Sequence, residues 1–175
     1  MDEFNHFQYL PLLLAVLAAP IGAVDVLYFH IWQFRLYEAP TARAETLVHV
    51  VRGLNFSAAV FLLANCHIAG GAFWSIGALL MLDVGVNVVD VLLEPRSRAP
   101  LGGIPRFEYL PHILGSTFAG GVVTSYFVLG PSGGVAPPRW LTLQGNVVAF
   151  GGVLLTLAEI VLFLKSRTAV DARAT

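Results

Sequence analysis

Apolar positions gather into five long runs, about Tyr9–Trp32, Ala42–Ile68, Ala72–Leu93, Phe107–Leu129 and Leu141–Leu164. Each reaches the roughly 20 residues that a helix needs to cross a bilayer. None alternates with period two, as a barrel strand would. The separators are rich in breakers: Glu38-Ala39-Pro40-Thr41, Gly70-Gly71, the stretch from Arg96 to Pro105, and Gly130-Pro131-Ser132-Gly133-Gly134 with Pro137-Pro138. The pattern predicts an all-α integral membrane protein, one domain over residues 1–175, with five transmembrane helices. Short loops make sequence neighbours antiparallel.

Composition agrees. The chain has 175 residues, 57% of them hydrophobic and 12% charged, with a mean hydropathy of +0.74. Soluble domains carry about 25% charged residues. A net charge of −1 leaves no basic surface for nucleic acid. One cysteine, Cys66, excludes an internal disulfide and any multi-cysteine metal site. Met1-Asp2-Glu3 offers no basic region ahead of the first apolar run, so no cleavable signal peptide is expected.

The cations predict an orientation. The 1–2 and 3–4 connections, the C-terminus and the adjoining helix ends hold Arg35, Arg43, Arg52, Arg96, Arg98, Arg106, Lys165, Arg167 and Arg173, whereas the opposite side holds only Arg139. The positive-inside rule makes the crowded side cytoplasmic and the N-terminus external. A bacterial inner membrane is the expected location. Arg96, Arg98 and Arg106 read first as topology determinants, and second as a clamp for a headgroup phosphate.

Ionisable residues inside membrane helices are costly and usually functional. Here they sit at one depth. Asp25 and His30 lie near the end of helix 1, and Glu45, His49 and Arg52 near the start of helix 2. Asp83, Asn87, Asp90 and Glu94 occupy the second half of helix 3. Glu108 and His112 open helix 4, and Glu159 lies near the end of helix 5. Alternating helix directions put all of them in the cytoplasmic half. The i,i+4 pairs Glu45/His49 and Glu108/His112 each share a face, about 5–6 Å apart at Cβ. Asp83, Asn87, Asp90 and Glu94 form one stripe. Headgroup-facing carboxylates are the plain alternative. That alternative suits Glu94 and Arg35, but not Asp83, about 16 Å of helix rise from Glu94.

The chain also repeats itself. Arg43-Ala44-Glu45-Thr46-Leu47-Val48-His49 and Arg106-Phe107-Glu108-Tyr109-Leu110-Pro111-His112 both read R-x-E-x-L-x-H, and Val24-Asp25-Val26-Leu27 matches Val89-Asp90-Val91-Leu92. From Asp to Arg is 18 residues in the first copy and 16 in the second, a difference assigned to the loop. Helices 1–2 (about 9–68) and 3–4 (about 72–129) are expected to be one duplicated hairpin with a pseudo-two-fold axis along the membrane normal. They would form a four-helix core, with helix 5 (about 141–164) appended.

Asp25, Glu45, His49, Asp90, Glu108 and His112 are therefore the expected metal ligands. Four carboxylates cannot share a low-dielectric site unneutralised, and two divalent cations would balance them. Carboxylate and imidazole suit Fe, Mn or Zn. The set resembles the ligand plan of ferritin-like dimetal-carboxylate bundles, in which two helices each give a carboxylate and two others a Glu-His pair. Those bundles use E-x-x-H; this chain has E-x-x-x-H twice. The resemblance covers helices 1–4 and implies two metal ions, iron favoured.

His30, five residues past Asp25, turns off the Asp25 face of an α-helix, and so takes a supporting role together with Asn87, Glu94 and Glu159. Arg52 and Asp83 fall about 10 Å deeper, at one depth. They read first as a buried ion pair and second as a catalytic clamp or proton relay, with Asn87 bridging the two levels. His6 and His67 belong to the opposite side.

The function expected is a membrane-embedded dinuclear enzyme acting on a hydrophobic small-molecule substrate at the cytoplasmic leaflet, by O₂-dependent oxidation or, as runner-up, by hydrolysis of a lipid ester or phosphoester. A b-type cytochrome ligated by His49 and His112 is a third reading, disfavoured because haem needs no paired glutamates. A transporter is disfavoured by continuous helices and an off-centre cluster. A non-catalytic subunit with a membrane partner, or an oligomer, stays open.

Overall fold

A computed structural model describes the backbone of residues 7–131 and 136–174, and side chains as far as Arg167. His6, the Met1-Asp2-Glu3 terminus, Ser132, Gly133 and Gly134 of the last breaker, and the Arg173 side chain lie outside this range. The described residues are all helical, with no strand. Helix α1 runs Leu10–Val24 and continues over Asp25–Gln33 as a π-helix. Helices α2 (Arg43–Asn65), α3 (Gly70–Arg98), α4 (Tyr109–Leu129) and α5 (Arg139–Ala174) follow. Five helices are long and apolar enough to cross a membrane. Their outward faces carry large apolar side chains, including Trp32, Trp74, Trp140, Leu92, Phe107 and Leu154. Lipid can cover such a surface and water cannot.

Not every breaker acts where expected: Gly70 and Gly71 open α3, and Arg96–Arg98 form its last turn. Arg35 ends the first helix in the left-handed region at φ 48°, a conformation non-glycine residues rarely adopt. Its side chain is tied back to Glu38 at 2.6 Å and donates from Nε to the Tyr37 hydroxyl at 3.1 Å. Single 3-10 turns over Leu36–Glu38 and Pro40–Ala42 lead into α2. Past α3, Gly102 at φ 94° lets the Gly103 N–H reach back to the Arg98 carbonyl at 3.0 Å, the closure that satisfies a helix's last carbonyls.

Helix α2 packs extensively on α3, and α4 on α1, whereas α1 and α2 touch lightly, as do α3 and α4. At the end away from the charged residues, Phe73 stacks on Tyr126 with ring centroids 5.0 Å apart, and the Tyr126 hydroxyl donates to the Phe73 carbonyl at 2.7 Å.

Helix α5 is not an appendage. It makes the most extensive contact of all, along α2, and also packs on α1. The cause is a seam of small residues. Gly53 faces Thr156, Ser57 faces Gly152, and Ala64 faces Gly145. Spacings of four and seven residues run along α2 and, in reverse, along α5. Small side chains let membrane helices approach closely, where dispersion and hydrogen bonds replace the missing hydrophobic drive. A Cβ at Gly145 would stand 2.9 Å from Ala64 Cβ and 3.1 Å from Leu12 Cδ1, whereas one at Gly151 would meet nothing within 4 Å. Gly145→Val should therefore cost about 1–3 kcal/mol and lower the thermal midpoint in detergent. Gly151→Val should leave it in place. Equal midpoints for the two variants would show that the seam does not hold α5.

Candidate metal centre

The six residues expected as ligands converge at one end of the bundle. His49 Nε2 stands 3.1 Å from Asp90 Oδ1, and His112 Nε2 stands 3.3 Å from Asp25 Oδ2. Each histidine thus faces the aspartate of the other hairpin. Glu45 and Glu108 are fully buried, and the Arg98 guanidinium lies between them. Its Nη2 is 3.0 Å from Glu45 Oε1 and 2.5 Å from Glu108 Oε1, and its Nε donates to Glu45 at 3.1 Å. The Ser97 hydroxyl donates to the second oxygen of Glu45 and lies 3.0 Å from the Glu94 carbonyl.

Arg98 corrects its sequence reading. It is a residue of the last turn of α3, fully buried, with the Phe34 ring 4.9 Å from its guanidinium carbon, not a loop cation at the headgroups. Its burial follows from helix length. Helix α3 runs on past Leu93, through Pro95, to Arg98. The apolar run ends at Leu93, so hydropathy carries no sign of the helix's last turn.

His30 is the second correction. It is 3% exposed, its Nε2 lies 3.8 Å from Asp25 Oδ2 and 3.7 Å from Glu108 Oε1, and its ring meets that of His49 at 4.2 Å. It sits at the centre of the cluster. In an α-helix a residue five positions on points elsewhere. In the π-helix over Asp25–Gln33 the i→i+5 winding brings it back over Asp25. The Phe34 N–H closes this winding on the Phe29 carbonyl at 2.9 Å.

Glu94 is buried, with Oε1 3.2 Å from His112 Nδ1, so it does not face headgroups; Arg35 does stay exposed. Arg52 and Asp83 pair as expected, loosely, at 3.9 Å, and Arg52 Nη1 also lies 3.7 Å from Asp90 Oδ2. Asn87 is half-buried and makes no side-chain hydrogen bond among the described residues, so it does not bridge the levels. Glu159 is buried, and with His30, Ile31, Leu36, Tyr37 and Thr46 it lines a small pocket beside the cluster. His67 is exposed on a different turn of the chain, between α2 and α3.

Asp25, Glu45, Asp83, Asp90, Glu94, Glu108 and Glu159 are all buried, against two guanidiniums, Arg98 and the half-buried Arg52. Burial pushes the Glu108 carboxyl above its ordinary range, against the opposing pull of Arg98. Asp25 Oδ1, Glu108 Oε2 and His30 Nε2 are buried without a hydrogen-bond partner, and the ion-paired His49 Nε2, Asp90 Oδ1 and Glu94 Oε1 make no contact of hydrogen-bond geometry. Such groups are expensive unless something else satisfies them. Two sets bring donor atoms within 4.8 Å of one another: Asp25, His30, Glu108 and His112, and His30, Glu45 and His49. Donors bonded at about 2.0–2.2 Å to one tetrahedral ion stand about 3.4 Å apart. The His112–Asp25 separation of 3.3 Å is close to that edge, whereas His49–Asp90, at 3.1 Å, is an ordinary ion-pair distance.

Comparison of the chain with protein-family models, with curated proteins and with solved structures gave no match.

Proposed function

We propose that the chain is a membrane-embedded metalloprotein whose buried Asp–Glu–His cluster holds divalent cations, two by the ligand plan, for oxidation of a lipid-soluble substrate. One observation carries the reading. Two equivalent Asp, Glu and His sets meet across the bundle, each histidine on the other set's aspartate, with donor atoms left unpaired in a site of excess negative charge. Exchanging the two hairpins carries His49–Asp90 into His112–Asp25, and Glu45 into Glu108 about Arg98. It also carries the α2–α3 contact into α4–α1. That exchange is what a duplicated hairpin about an axis along the membrane normal would produce.

Asp25, Glu45, His49, Asp90, Glu108 and His112 would hold the metals. Bound iron would supply O₂ chemistry, whereas Mn or Zn would favour hydrolysis of a lipid ester or phosphoester. The chain's own part is to orient the imidazoles through facing carboxylates and to exclude bulk water; the pocket beside His30 and Glu159 has room for about one water. Haem fits less well, because an axial histidine needs no carboxylate beside it.

The excess of Arg35, Arg43, Arg96, Arg106, Lys165 and Arg167 at the cluster end, against Arg139 at the other, supports a cytoplasmic leaflet for the cluster. Reporter fusions at Asp2 and Thr175 should report an outside N-terminus and an inside C-terminus. Both ends on one side would remove the five-span topology. Elemental analysis of the protein purified in detergent, with a visible spectrum, tests the centre. Stoichiometric first-row metal is expected, and no Soret band. Metal-free protein that takes up none on reconstitution would leave the cluster as an ion-paired network joining the helices.

A further inference from the structure

We infer that the two halves of the cluster have diverged, into one tight cation site at Asp25, His30, Glu108 and His112 and one weak site at Glu45, His49 and Asp90. This rests on the metal-binding reading above. The first half brings two carboxylates and two imidazoles to one point, within 4.8 Å. That is a complete four-coordinate set whose charge balances a divalent ion. Arg98 holds Glu108 Oε1, and Asp25 Oδ2 faces His112 Nε2, but each carboxylate keeps a second oxygen open. Asp25 Oδ1, Glu108 Oε2 and the Nε2 of the 97%-buried His30 have no hydrogen-bond partner. Glu94 lies 3.2 Å from the other nitrogen of His112, the arrangement by which an outer carboxylate fixes a ligand ring.

The second half is less open. Its converging donors are Glu45, His49 and the shared His30, with Asp90 facing His49. One oxygen of Glu45 is engaged by Arg98 and the other by Ser97, whereas Glu108 has only one oxygen on Arg98. Asp90 Oδ2 faces Arg52 at 3.7 Å. A cation entering there must displace the hydrogen bonds on both Glu45 oxygens and approach Arg52 as well as Arg98. The contrast follows from where the repeats differ. His30 and Glu94, which enrich the first half, correspond to Pro95 and Phe29. Arg52, which burdens the second, corresponds to Gly115.

The test is a titration of chelator-stripped, detergent-purified full-length protein with Zn²⁺ alone, read by calorimetry and by equilibrium dialysis. One tight equivalent is expected, with a second weaker by about tenfold or more. Asp25→Asn and His30→Gln should each remove the tight equivalent. Asp90→Asn should spare it, and Glu94→Gln should weaken it by about ten- to a hundredfold. Arg52→Gln should strengthen the second. Circular dichroism and gel filtration select the variants that keep the fold. If His30→Gln folds and Asp25→Asn does not, His30→Gln alone decides. Two equivalents of equal affinity, or a tight equivalent lost in Asp90→Asn and kept in His30→Gln, would overturn the asymmetry while leaving metal binding intact. No uptake by the wild-type protein would overturn both.

Discussion

Arg98→Met is expected to destabilise the protein by about 3–5 kcal/mol, because removing one partner of a buried ion pair strands the others. Arg98 is fully buried between Glu45 and Glu108. Its loss leaves two carboxylates facing each other in low dielectric. In chelator-stripped protein, the triple variant Arg98→Met, Glu45→Gln, Glu108→Gln should recover much of the loss, since uncharged amides need no counterion. Arg98→Lys should fall between, because an ammonium cannot reach both glutamates with the same planar fork. Thermal unfolding in detergent, followed by circular dichroism, checks the series. An unchanged midpoint for Arg98→Met would mean that the glutamates do not depend on this guanidinium.

Stripping the metal with a chelator is expected to lower the same midpoint strongly. A ligand that binds only the folded state adds about 4 kcal/mol at a thousandfold excess over its dissociation constant. The sign is fixed by charge. Cations offset repulsion among carboxylates that the fold brings together and the unfolded chain does not, so their removal destabilises the fold. Adding the metal back should restore the midpoint. In His112→Ala the chelator should have little further effect, whereas His67→Ala should respond as wild type does. A chelator-insensitive wild type that nevertheless unfolds reversibly would argue for a purely ion-paired network.

The five long apolar helices could be read from the sequence because local composition carries length and apolarity. The meeting of Asp25 with His112 and of Asp90 with His49 joins residues that the sequence match had already set in equivalent positions. What escaped depends on winding and contact. His30 was misplaced because every position was projected onto an α-helix, and no local motif announces the π-helix at Asp25. Arg98 lies beyond the apolar run that ends at Leu93, in a stretch rich in breakers, so hydropathy places it in a loop although the helix continues through Pro95. The α2–α5 seam of Gly53, Ser57, Ala64, Gly145, Gly152 and Thr156 was present as matched spacings. Small residues leave no hydropathy signal, so the helix bearing half of them looked peripheral.

The π-helix has a consequence for how this chain bears insertions and deletions. In uniform α-winding, each added or lost residue turns everything beyond it by about 100°. A change in the last half of α3 would therefore swing Asp90 or Glu94 off the cluster. The i→i+5 stretch over Asp25–Gln33 stores surplus chain in phase, so the end of α1 can shorten toward ordinary winding and still meet the turn at Arg35. The first copy's two additional residues between aspartate and arginine need not all lie in the loop; part is held in this wide coil. Length variants of this protein would be tolerated there first, and His30 is the side chain whose direction they would change.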